Sequence, residues 1–112
     1  MDVLSTYEQM IRDTRLMDGD DLVYPALGLT GEAGEVADKI KKFWRNDGIT
    51  EGWRLNEEQR DALLKELGDV AWYLTALAQS LGSSLAAVLE MNRVKCLDRK
   101  ARGVTKSEGD NR

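Results

Sequence analysis

Apolar residues recur along almost the whole chain at intervals of three and four, and no strand-length run alternates apolar with polar. The first such stretch predicts a helix over about residues 3–17, with Leu4, Tyr7 and Ile11 on one face and Thr14 or Arg15 continuing it. The run MDGDD at 17–21 breaks that helix. Pro25 suits the start of a second helix, where its missing N–H is no loss. This helix runs to about Arg45, and NDG at 46–48 stops it. Residues 49–56 read as a loop containing Trp53. Asn56 is placed to cap a third helix, with Glu57 and Glu58 near its positive end. The third helix extends to Ser80 or Leu81, and Gly82 suits its C-terminal end. A fourth starts at Ser83 or Ser84 and reaches about Ala101. The pattern predicts an all-α fold, an antiparallel four-helix bundle. Residues 1–102 would form one helical domain, and 103–112, GVTKSEGDNR, a flexible C-terminal tail.

The helical faces are not purely apolar. At about 100° per residue, Leu29, Glu32, Val36, Ile40 and Phe43 share a stripe of the second helix, so Glu32 sits among core positions. Glu35 lies on the edge of that stripe, beside Lys39 and Lys42. The third helix carries a leucine stripe, Leu63, Leu67, Val70, Leu74, Leu77 and Leu81. Beside it runs a second, Ala62, Glu66, Asp69, Tyr73, Ala76 and Ser80, with Trp72 at its border. A helix apolar around so much of its circumference is covered on both faces, by the bundle on one and by a ligand or partner chain on the other. On the fourth helix Leu85, Val88, Leu89, Asn92 and Cys96 face inward, Arg99 continues the stripe and Lys95 flanks it. A buried Asn92 would need partners, and Cys96 reads as a small packing residue.

Composition narrows the chemistry. The chain has 112 residues, suited to one domain, and a formal charge of −4, which argues against a general binder of nucleic acid or membrane surfaces. One cysteine cannot form an internal disulfide, which makes a reducing cytoplasm the expected compartment. Histidine is absent, so any metal must be held by oxygen.

One phrase occurs twice. Glu32-Ala33-Gly34-Glu35-Val36-Ala37 is matched by Glu66-Leu67-Gly68-Asp69-Val70-Ala71. Each copy includes a glycine that costs a helix interior about 1 kcal/mol relative to alanine. Gly34 and Gly68 are expected to let the two helices approach, drawing four carboxylates together. Like charges about 4 Å apart repel by roughly 4 kcal/mol at an effective dielectric of 20, so protons or cations must neutralise the cluster. An all-oxygen ligand set points to Mg²⁺, with Mn²⁺ as a possible substitute. Magnesium so held keeps positions open for substrate phosphates. Lys39, Lys42, Lys95 and Arg99 could face the remaining phosphate charge, and Tyr73 and Asn92 offer a ring face and an amide suited to a nucleobase or sugar.

YPALGLTGEAGEVADKIKKFWR, LLKELGDVAWYLTALAQSLG and SLAAVLEMNRVKCLDRKARG together resemble the MazG-like family of all-α nucleoside triphosphate pyrophosphohydrolases, over residues 24–103. The resemblance implies Mg²⁺-dependent cleavage of an NTP or dNTP between the α and β phosphates, giving a monophosphate and pyrophosphate. It implies that Glu32, Glu35, Glu66 and Asp69 are the metal ligands, one of them acting as base. It also implies that Tyr73 and Asn92 contact the nucleoside and that Lys95 and Arg99 meet phosphates, with Lys39 and Lys42 as further candidates. Relatives assemble as dimers or tetramers, so a homodimer or homotetramer is expected. Two other readings compete: a non-catalytic helical oligomer that senses nucleotide or binds a partner, and a phosphoribosyl-ATP pyrophosphohydrolase. The stretch between the acid pairs, with its Trp53 loop, is long for the pattern and leaves the preferred base open.

Overall fold

The computed structural model describes residues 2–103. Four helices form, α1 (Val3–Thr14), α2 (Val23–Asp47), α3 (Glu57–Ser80) and α4 (Leu85–Ala101), with a short 3₁₀ turn at Gly52–Arg54. No strand occurs among the described residues, and the fold is all-α as expected. Residues 104–112 of the expected tail lie outside the described part of the chain.

The helix ends follow local chemistry. Asp2 caps α1 by accepting from Ser5 N at 2.8 Å. Asp21 accepts from Val23 N and Tyr24 N at the head of α2, where Leu22 offers no side-chain cap. Asn56 and Gln59 form a reciprocal capping box on α3, and Ser84 caps α4. Gly48 ends α2 with a φ of 66°, a left-handed conformation that a side chain would strain. The first helix is shorter than its periodicity predicts. Arg15 turns extended at ψ 142°, and its guanidinium donates to Ala76 O, Gln79 Oε1, Ser80 Oγ and Asp18 O. These bonds to the end of α3 replace another turn of helix.

Antiparallel packing is closest between α2 and α3. Their register is marked by Lys39 beside Glu66 and by Gln59 Nε2 donating to Asp47 Oδ2. The stripe of α3 carrying Glu66 and Tyr73 turns toward α2, while Leu67 and Leu81 of the leucine stripe stay 49% and 67% exposed. Across the break from α3 to α4 the chain bends by 96°, so α4 does not run alongside α3. Instead α1 and α4 gather at the C-terminal end of α3. There Gln79 Nε2 donates to Glu8 O at 2.9 Å, and the buried Glu8 carboxylate accepts from Leu85 N at the head of α4. The fully buried Ile11 and Ala76 mark this small core.

Three inward expectations for α4 fail, and Leu89 is 46% exposed. Asn92 is exposed and its Oδ1 lies 3.9 Å from Cys96 Sγ, and Cys96 is exposed too. The buried positions are Leu85 and Arg99, with Val88 and Lys95 half-buried between them. At 100° per residue Asn92 lies between the buried Leu85 and Arg99, so its exposure reflects how little packs against that part of α4, which helical periodicity cannot report. Among the described residues, no single helix is long and apolar enough to cross a membrane.

Candidate active site

Tyr24, Gly28 and Glu32 recur every four residues on α2 and therefore share a face. Across the antiparallel pair, α3 presents Tyr73, Asp69 and Glu66, also spaced by four and three. The facing registers bring Tyr73 onto Gly28 and the acids of α3 onto Glu32. Carboxylate oxygens of Glu32, Glu66 and Asp69 all lie within 4.8 Å of one another. Glu32 and Glu66 are half-buried and Asp69 is exposed. Glu35 is exposed and stands outside this trio, but its charge reaches Glu32.

The trio is electrostatically loaded. Burial, then the charges of Asp69, Glu66 and Glu35, push the Glu32 carboxyl above its ordinary value. Lys39 answers directly, its Nζ 3.6 Å from Glu66 Oε1. Lys42 is drawn to Asp38 at 2.7 Å, and Lys41 to the same carboxylate at 3.4 Å. The hydrogen bond from Lys42 holds the Asp38 carboxyl below its usual range. Burial, with Asp69 beside it, raises the Tyr7 hydroxyl of α1. Sequence periodicity assigned Tyr7 to the packing face alone, and its closeness to Asp69 becomes visible once α1 is docked.

Glu32, Asp69, Trp72 and Tyr73 line a cavity of about 310 Å³. Trp72 stands edge-on to Tyr73, with centroids 5.2 Å apart and planes at 72°, and Tyr24 lies 6.3 Å from Tyr73 at 42°. Burial, Tyr24, Glu32 and Asp69 raise the Tyr73 hydroxyl. On the other side of Glu66 a wider cleft of about 740 Å³ is lined by Lys39, Lys65 and Glu66, together with Glu57, Glu58, Asp61 and Ala62. Asn92, Lys95 and Arg99 line neither.

The close approach expected at Gly34 and Gly68 does not occur among the described residues. A Cβ at either would meet nothing within 4 Å. Gly28 is where space is lacking, because a Cβ there would collide with the Tyr73 ring. The doubled phrase drew attention to the wrong glycines, and the α2 stripe from Tyr24 to Glu32 carried the usable signal.

The donor set fits a hard divalent cation. Glu32, Glu66 and Asp69 each offer a carboxylate oxygen, the ligand type that Mg²⁺ and Mn²⁺ prefer. Three carboxylates drawn this close also favour a neutralising cation.

An all-helical chain that draws acids from two antiparallel helices into one cluster is the kind of protein this fold and site define. Residues 25–103 match the MazG nucleotide pyrophosphohydrolase domain, and the chain belongs to that family. It is 41% identical over 114 residues to the "Gene 37 protein" of Mycobacterium phage L5, covering 95% of this chain and 96% of that protein. No solved structure matches it.

Proposed function

We propose that the protein hydrolyses nucleoside triphosphates between the α and β phosphates, water adding to the α-phosphorus and the chain releasing a nucleoside monophosphate and pyrophosphate. The observation that carries this reading is the trio Glu32, Glu66 and Asp69 in a chain with a MazG domain. These residues would hold Mg²⁺ or Mn²⁺, with Glu35 as the fourth acid. The cation, when bound, would neutralise phosphate charge and make water more acidic.

The protein's own groups then divide the work along α2. From Gly28 to Lys39 the helix rises about 16 Å at 1.5 Å per residue, a lane that runs from aromatic rings through acids to a lysine. The nucleoside lies toward Trp72 and Tyr73, and the β and γ phosphates lie toward Lys39, with Lys42 further along. A carboxylate of the cluster accepts the proton of the attacking water. The roles of Asn92, Lys95 and Arg99 toward nucleoside and phosphate rest on the resemblance. The same reading makes the protein a cytoplasmic homodimer or homotetramer.

A panel of NTPs and dNTPs, with phosphoribosyl-ATP included and pyrophosphate detected, tests the proposal. Expected is pyrophosphate release from at least one common nucleotide, abolished by chelation and restored by Mg²⁺. Binding without turnover across the panel would instead favour the sensing oligomer.

A further inference from the structure

Glycine inside a helix is unfavourable by about 1 kcal/mol against alanine, so a glycine there invites a search for what occupies the missing side chain's place. At Gly31, Gly34 and Gly68 that place is open to at least 4 Å. At Gly28 it is filled by the Tyr73 ring, whose Cδ1, Cε1 and Cζ would all collide with a Cβ. Tyr73 is held on two further sides, by the edge-on Trp72 and the tilted Tyr24. The ring is thus recessed into α2. Trp72 and Tyr73 line the 310 Å³ cavity together with Glu32 and Asp69.

We infer that Gly28 is a positioning residue for the nucleoside end of the substrate: by admitting the Tyr73 ring into α2 it keeps the cavity beside the acids open, and Trp72 supplies the face on which a nucleobase stacks. The ligand class is a planar heteroaromatic ring attached to phosphates. Tyr73, with its own ring packed on three sides, frames the slot and contributes its hydroxyl edge. This inference rests on the nucleotide reading of the same site.

The test is calorimetric binding of non-hydrolysable α,β-imido dNTPs, with Mn²⁺ binding measured separately by the metal alone. Base–aromatic stacking of about 1–3 kcal/mol corresponds to a loss of about 5- to 150-fold for Trp72→Leu. Gly28→Ala is expected to weaken analogue binding about tenfold while Mn²⁺ binding holds. Alanine favours the helix, so a loss cannot come from weakening α2. In a Tyr73→Ala background Gly28→Ala should cost almost nothing, because the ring it displaces is gone. An equal cost in both backgrounds, wild-type affinity in Gly28→Ala, or parallel loss of Mn²⁺ would overturn the inference. Wild-type protein that binds the analogues but turns over no nucleotide sinks the hydrolase reading and leaves this comparison decisive. Wild-type protein that binds none of them sinks both.

Discussion

Glu32 illustrates how much a single position can carry. In the unfolded chain its carboxyl titrates near the ordinary value of 4.5, and in the fold burial and three acidic neighbours raise it. Between those two values the native state binds more protons than the unfolded state, so stability falls as pH rises through the window. The stabilisation is complete below 4.5 and lost above the raised native value. Melting curves of metal-stripped protein from about pH 4 to about pH 7 should therefore show Glu32→Gln gaining on wild type as pH rises. Saturating Mg²⁺ should erase that advantage, since the cation restores the partner that only the ionised wild type can use. Kinetics offer a second check at this scale. Outer-shell partners of metal sites already cost about 10–100-fold when removed, so Asp69→Asn should lose more than that in turnover at unchanged helicity by circular dichroism. Glu35→Gln should lose activity that added Mg²⁺ partly recovers, because the trio remains in place without it. The acids were legible because helical spacing put Glu32 among apolar residues and the phrase recurred on α3. Gly28 and Tyr24 were not, since their role depends on which face of α3 they meet.

The elements were legible nearly residue by residue, because caps and breakers are local. Asn56, Gly48, Ser84 and Gly82 act through bonds or φ values within a few residues of themselves. What failed was anything that depends on how helices cross. Asn92 was expected inside and is outside, and Glu8, which none of the helical stripes includes, is 6% exposed. Glu8 joins three elements: its carboxylate accepts from Leu85 N of α4, and its carbonyl accepts from Gln79 of α3. Glu8→Ala would leave the Leu85 amide without that acceptor in a buried place, at a cost of about 1–3 kcal/mol. Glu8→Gln keeps an oxygen there and should cost less. Urea unfolding of the two variants against wild type measures the difference, and an alanine variant as stable as wild type would remove the carboxylate from the account of how α4 is held.

At the scale of the molecule, burial is meagre. Among the described residues the buried apolar side chains are few, Ile11, Pro25, Ala76, Ala78 and Leu85, while Leu27 is 70% exposed, Trp44 61%, Trp53 84% and Val23 68%. Domains of this size normally bury well over half of the surface their unfolded chains expose, and large exposed apolar faces mark interfaces. Val23, Leu27, Gly34, Ala37 and Trp44 recur at helical spacing on the face of α2 turned away from Glu32, and open space at Gly34 would let another helix come close. A second copy laid on this stripe would cover it, which supports the homo-oligomer proposed above. The expected state is therefore a homo-oligomer whose folding and association are coupled, so that its unfolding midpoint rises with protein concentration. Sedimentation equilibrium should return at least twice the 12.6 kDa chain mass. Leu27→Glu, which adds a charge to the exposed stripe and touches none of the proposed ligands, should shift the protein toward monomer and lower its stability together. A wild-type monomer with a concentration-independent midpoint would show instead that the exposed stripe is not what completes this fold.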